Sequence, residues 1–161
     1  MKRTALTEVA RGAAAAVDFV EIAEDLAWLV RTRSITGDED AIQAGLADRL
    51  EALGLTVEVF HPDPAAVRGD PDWPGEEVAR TSLTVVIGRA GRAGGKRLVL
   101  SGHVDVVPAG DPVTWTGDPW SGAVRDGQLH GRGACDMKGG IAAILGAVRA
   151  LDETGALDRL Q

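Results

Sequence analysis

The 161-residue sequence contains a single cysteine, Cys135, so no internal disulfide can form and an oxidising compartment is not implied. Positive charge is also scarce. Seventeen Lys and Arg stand against 24 Asp and Glu, a formal charge of −7 at pH 7. That balance argues against a sequence-independent grip on nucleic acid or on an anionic membrane surface. Long apolar runs are missing too, since nothing approaches the roughly 18 apolar residues of a membrane-spanning helix. The N-terminal "MKRTALTEVARGAAAAVDF" starts basic, but Glu8 and Arg11 interrupt what would have to be the apolar part of an export signal. The expectation is a soluble, cytoplasmic chain. It has no internal repeat and no low-complexity tract, and its hydrophobic fraction of 45% suits a domain with a real core.

Apolar spacing then predicts the elements. Residues 17–33 place Val17, Val20, Ile22, Leu26, Leu29 and Val30 near one face of a helix. A turn and a second helix follow, from an acidic start near Asp38 to a glycine stop at Gly54, with Leu46, Leu50 and Leu53 inward. Residues 55–60 alternate and are β-branched, which predicts a strand. Residues 61–81 hold four of the seven prolines and Trp73, and read as an irregular surface excursion. "SLTVVIG" (82–88) and "RLVLSG" (97–102) are two more strands, joined by "RAGRAGGK". That joint is too short for a crossover helix, so the two are expected to pair antiparallel. A long loop spans 104–135 with a hairpin turn at Asp126-Gly127, and residues 137–155 close as a helix. The order predicts an α/β fold, a layered α/β/α arrangement with a mixed sheet. A helix in this architecture normally returns the chain to another strand. None follows the last helix in this sequence, which leaves the layered arrangement short of a strand.

Two segments carry chemistry. In "LVLSGHVDVVPAG" (98–110), His103 and Asp105 stand at i and i+2 and share one face of an extended segment. They lie at a strand end, where ligand sites gather in open α/β sheets. One imidazole nitrogen can bind a metal while a neighbouring carboxylate fixes the ring through the other nitrogen. The plain alternative is a satisfied strand-end histidine beside a solvated aspartate. "LHGRGACDMKGG" (129–140) sets Asp136 between a glycine-rich loop and a helix. An ordinary N-cap accounts for an aspartate there. It does not account for Gly139 and Gly140 in the first turn, each of which costs about 1 kcal/mol against alanine. Such a cost points to close approach of another segment or a ligand.

Taken together, "SGHVDVVPAG", "WTGDPWSG" and "GRGACDMKGG" resemble one family of dinuclear zinc amidohydrolases and peptidases. It contains acetylornithine deacetylase, succinyl-diaminopimelate desuccinylase, aminoacylase and glutamate carboxypeptidase. The likeness runs in order from about residue 80 to 150. It implies hydrolysis of the amide bond of N-acyl amino acids or small peptides, with two Zn2+ (Co2+ as the alternative) per active site. By position, His103 would ligate one zinc and Asp105, the catalytic residue of this set, would orient His103 and tune its basicity. Asp136 would bridge both zincs, and the Asp136-Met137 peptide would be cis. The resemblance also implies that residues 1–161 are the N-terminal portion of the catalytic domain, and that the general base, the remaining ligands and a lid and dimerisation domain lie beyond Gln161. The chain alone is then expected to be inactive, and a homodimer is expected only in the full-length parent. A non-catalytic α/β module with at most one weak metal site, from His103 and Asp136, stands as the second reading.

Other residues receive plainer readings. His130 sits where the family more often has tyrosine and is expected to be a partly exposed strand residue, and His61 a loop residue. Cys135 is expected to be small and buried, and Arg132 to lie at the surface. Trp115 and Trp120 either flank the cleft or pack the long loop. Nucleotide loops fail in detail: "GRGACD" ends in Asp136 where a third glycine is needed. "AGRAGGKR" has Ala90 in place of glycine and Arg97 in place of Ser or Thr.

Overall fold

A computed structural model describes residues 2–91 and 97–157. Helix α1 covers Lys2–Ala15. Asp18 then accepts backbone N–H bonds from Val20 (2.7 Å) and Glu21 (3.3 Å), which starts α2, Phe19–Arg31. Helix α3, Asp40–Ala52, gives way at Gly54, whose φ of +75° turns the chain into strand β1, Thr56–Phe60. A short helix α4, Pro64–Arg68, capped by Asp63, lies inside the excursion expected to be irregular. Strand β2 is Val85–Arg89, β3 is Ala123–Arg125 and β4 is Gln128–His130. The β3–β4 hairpin turns at Asp126 (φ +51°) and Gly127 (φ +74°), the pair of positive angles a two-residue hairpin needs. Helix α5 is Gly139–Glu153.

The fold is α/β, as expected, but the strand pairing differs. β2 pairs antiparallel with β1, placing Val57 opposite Gly88, and not with the segment 97–102. The reason lies in α3. Gln43 Nε2 donates to the Thr84 carbonyl (3.2 Å) and Thr84 Oγ1 to Asp40 Oδ1 (2.7 Å), holding the entrance of β2 on the helix that feeds β1. The two strands therefore leave α3 side by side. Residues 97–102 have no ladder partner among the described residues, and Leu98, Val99 and Leu100 are 83%, 80% and 52% exposed. Residues 92–96 of the expected joint lie outside the described residues. Parallel pairing among the described residues is confined to one bridge, Ile35 with Val106, made by Val106 N–H to the Ser34 carbonyl (2.9 Å) and Thr36 N–H to the Val106 carbonyl (3.2 Å).

The core joins Leu29 of α2, Ile42 and Leu46 of α3, and Ile141, Ala142 and Leu145 of α5 around Val104. Val20, expected inward, is 67% exposed, because the buried stripe of α2 begins only at Ile22. Gly146 lets α5 close on that residue: a Cβ there would fall 2.4 Å from Ile22 Cγ1. Asp25 of α2 pairs with both Arg49 of α3 (3.5 Å) and Arg149 of α5 (2.9 Å), binding the three helices at one edge. Among the described residues no helix is long and apolar enough to cross a membrane.

This packing sets an expectation for stability. Leu29 is fully buried, so Leu29→Ala should lower the unfolding free energy by about 2–5 kcal/mol in a urea titration. Val113→Ala, at an 83% exposed position, should stay within about 0.5 kcal/mol. Equal unfolding midpoints for the two variants would contradict this placement of the core.

Candidate metal centre

Val104 and Val106 are buried and fix the backbone from which His103 and Asp105 project. Ser34 Oγ, also buried, donates to the Val104 carbonyl at 2.7 Å. His103 and Asp105 share a direction, as their spacing predicts. The ring Nδ1 lies 3.2 Å from Asp105 Oδ1 and 3.1 Å from the Asp105 carbonyl. Asp105 Oδ2 accepts from Thr36 Oγ1 at 2.9 Å and lies 3.7 Å from Arg80 Nη2. One carboxylate oxygen thus faces the imidazole while the other is held from behind.

Asp136 arrives from an irregular turn, Ala134–Lys138, in which both it (φ −130°, ψ 100°) and Met137 (φ −128°, ψ 32°) depart from helical geometry. The Asp136-Met137 peptide is cis, as the resemblance implies. Two glycines make room for this turn. A Cβ on Gly133 (φ +80°) would fall 2.4 Å from Val106 Cγ1, and one on Gly139 would fall 2.7 Å from the Ala134 carbonyl oxygen. The close approach foreseen at Gly139 is therefore made by the chain's own backbone. Across 33 residues of sequence, Asp136 Oδ1 comes within 3.0 Å of His103 Nε2.

The imidazole consequently sits between two acceptors. Beside the Asp105 carbonyl and carboxylate, Nδ1 is best placed as a donor, and a neutral ring then turns its Nε2 lone pair toward Asp136. A cation between Nε2 and the carboxylate relieves that conflict, whether a proton or a metal ion. Burial opposes charging of His103, but the Asp136 hydrogen bond, the Asp105 carbonyl and the two negative charges outweigh it and raise its pKa above the ordinary histidine value. The donor set also suits a metal. A tetrahedral ion with bonds of about 2.0–2.1 Å holds its donors about 3.3 Å apart, a few tenths beyond the observed separation of 3.0 Å. The Asp136 side chain is 88% exposed and accessible to a further cation. Asp105 lies on the far side of the ring, and among the described residues no three ligating side chains converge. The pair opens on a cleft of about 350 Å3, lined also by Thr36, Glu77, Arg132 and Cys135.

Other expectations fare unevenly. His130 is exposed on β4 and His61 is an exposed loop residue with Nδ1 3.2 Å from Thr84 Oγ1, as read from the sequence. Cys135 corrects its expectation: it is exposed, because the turn before Asp136 faces the cleft while Lys138 takes the buried place. Arg132 is half-buried against the Trp115 ring (5.1 Å), and Trp115 Nε1 donates to the Ala109 carbonyl (2.9 Å), so this tryptophan packs the long loop. Trp120 lies under Arg33 at 5.0 Å.

Sequence reasoning missed Ser34, Thr36, Arg80 and Lys138. Lys138 is fully buried, and burial pushes its ammonium down to about 8. Its Nζ donates to the carbonyls of Leu29 (2.7 Å) and Thr32 (3.0 Å). A lone lysine beside a Gly-Gly pair at the head of an apolar helix was the available signal. For Ser34 and Thr36, whose partners lie 70 and 69 residues away, there was none.

The profile of peptidase family M20/M25/M40 matches residues 99–159, the stretch that carries His103, Asp105 and Asp136. Over this stretch the chain is similar to that family. Similar curated proteins are succinyl-diaminopimelate desuccinylases. The one from Methylobacterium nodulans is 43% identical over 122 residues, covering 76% of this chain and 27% of that protein. That from Gluconacetobacter diazotrophicus is 44% identical over 128 residues, covering 79% and 29%. That from Cupriavidus pinatubonensis is 42% identical over 120 residues, covering 74% and 28%. The chain spans less than a third of the length of these relatives.

The charge arrangement around His103 has a pH signature. Because the folded-state pKa of His103 is raised, its protonated form stabilises the fold fully below the unfolded value, and that contribution disappears as pH rises through the folded value. Proton NMR of the ring should give a midpoint above that of the unfolded chain, and Asp136→Asn should bring it down. The stability lost in Asp136→Asn should be larger at mildly acidic pH than in alkaline solution. An unshifted midpoint in Asp136→Asn would remove the pairing from the account.

Proposed function

We propose that the chain is the N-terminal portion of the catalytic domain of a cytoplasmic metal-dependent amidohydrolase acting on a small N-acyl amino acid or peptide. Removal of the succinyl group from succinyl-diaminopimelate is the proposed reaction of the whole protein, on the strength of the relatives' names. One observation carries the reading: His103 Nε2 faces Asp136 Oδ1 at 3.0 Å while its other nitrogen is braced by Asp105. In this account His103 is one metal ligand and Asp136 the bridging one. Asp105 keeps a proton on Nδ1 so that Nε2 stays available, and Thr36 and Arg80 hold Asp105 in place. Zinc, or cobalt, bound as a pair would acidify a shared water and polarise the scissile carbonyl.

A general base must still take the proton of the attacking water and pass it to the departing amine. No residue of this chain is assigned that role, which falls to a carboxylate proposed to lie beyond Gln161, as do the remaining ligands and any dimer contacts. The exposure of Leu98, Val99 and Leu100 on successive, opposite-facing positions supports the same reading. A strand covered by neighbours on both faces reads as a continuous apolar run of this kind. The convergence of two ligands rather than three among the described residues favours one competitor, a non-catalytic module with a single weak metal site.

Two measurements test the proposal. The purified 161-residue chain should hydrolyse N-succinyl-diaminopimelate no faster than its His103→Ala variant; activity above that control would overturn the division of the catalytic machinery. In the full-length parent, elemental analysis should find two metal ions per chain, removed with activity by a chelator. None per chain would leave the module reading.

A further inference from the structure

Both halves of the metal centre are fastened to one short stretch, the end of α2 and the turn after it. The last carbonyls of a helix have no donors within the helix. Two carbonyls at the end of α2, of Leu29 and of its C-cap Thr32, accept from Lys138 Nζ at 2.7 and 3.0 Å. Lys138 is two residues from Asp136, and its own backbone N–H donates to the Gly133 carbonyl at 3.0 Å, closing the turn that carries the aspartate. Beyond the C-cap, Ser34 Oγ reaches the Val104 carbonyl at 2.7 Å, between His103 and Asp105, and the Ile35–Val106 bridge continues the join. Residues 29–36 therefore touch the backbone next to one ligand, at Val104 and Val106, and the side chain that anchors the other.

A packing role does not call for a lysine here. Burying an ammonium is unfavourable until its partners offset the lost hydration, and methionine would fill similar volume without that cost. What the ammonium adds is directional attachment to the negative end of α2. We infer that Lys138 and Ser34 are positioning residues that hold Asp136 and His103 at the separation a shared cation requires, using the end of α2 as their common anchor. Neither residue contacts the ion. The inference rests on the metal-centre reading above.

The test is a Co2+ titration of the isotopically labelled 161-residue chain, followed by paramagnetic loss of amide signals. In the wild type the His103 and Asp136 signals should vanish together, at one Co2+ concentration, and His103→Ala should abolish that joint response. In Lys138→Met this joint response should require about tenfold more Co2+, the scale on which outer partners tune metal affinity. Ser34→Ala should move the joint response in the same direction. A merely structural role would lower the urea midpoint and leave the Co2+ midpoint where it was. Unchanged Co2+ midpoints in both folded variants overturn the positioning role alone. Should Lys138→Met fail to fold, Ser34→Ala decides by the same criterion. A wild type without a joint response overturns the metal centre, and the positioning role with it.

Discussion

The unpaired carbonyls at the end of α2 constrain everything downstream of them. A helix that ends beside the core cannot leave those groups to water, and here they are met by a lysine 109 residues away from Leu29. The same end of the helix leads into Ser34 and Ile35, which grip the segment around Val104 and Val106. Leu29 and Val104 both belong to the core, so the anchor is rigid because it is packed. The separation between His103 and Asp136 is thus set inside the protein, although both side chains are themselves open to solvent.

The electrostatics of the site follow from that placement. Two aspartates approach opposite edges of one imidazole, and a ring with a single mobile proton cannot donate to both. Protonation is one resolution and a divalent ion another, so the two compete for the same nitrogen. Asp105 is kept out of that competition by Thr36 and Arg80, which occupy its second oxygen. Arg80 also pairs with Glu39 at 3.2 Å, tying the brace to the start of α3. A local geometry of three side chains therefore draws on α3 and on the excursion that follows β1.

Much of this was legible in the sequence where local chemistry decides it. The apolar periods of α2, α3 and α5, the Gly54 stop and the Asp126-Gly127 hairpin are written into neighbouring residues. His103 and Asp105 could be paired by the two-residue period of extended chain, and Asp136 by the company of glycines around it. The partner of β2 was not legible, because Gln43 and Thr84 decide it across 41 residues through contacts with α3. Lys138, Ser34 and Thr36 escaped for the same reason: their roles are carbonyls and carboxylates brought near by the fold, with no spacing to betray them. Cys135 was misplaced because its neighbour Lys138, against ordinary hydropathy, took the interior position.

The bare run Leu98–Leu100 carries a consequence for the isolated chain in a test tube. Its amides and carbonyls have no ladder partners among the described residues, and its side chains stand in water on successive positions. Neither proline nor acidic residue interrupts it before Asp105, so two of the devices that normally keep sheet edges apart are missing and, of charged residues, Arg97 alone adjoins the run. Two copies can lend each other the backbone bonds that each lacks. Edge-to-edge association of concentrated preparations is therefore the expected outcome, and turbidity is the measurement that would report it.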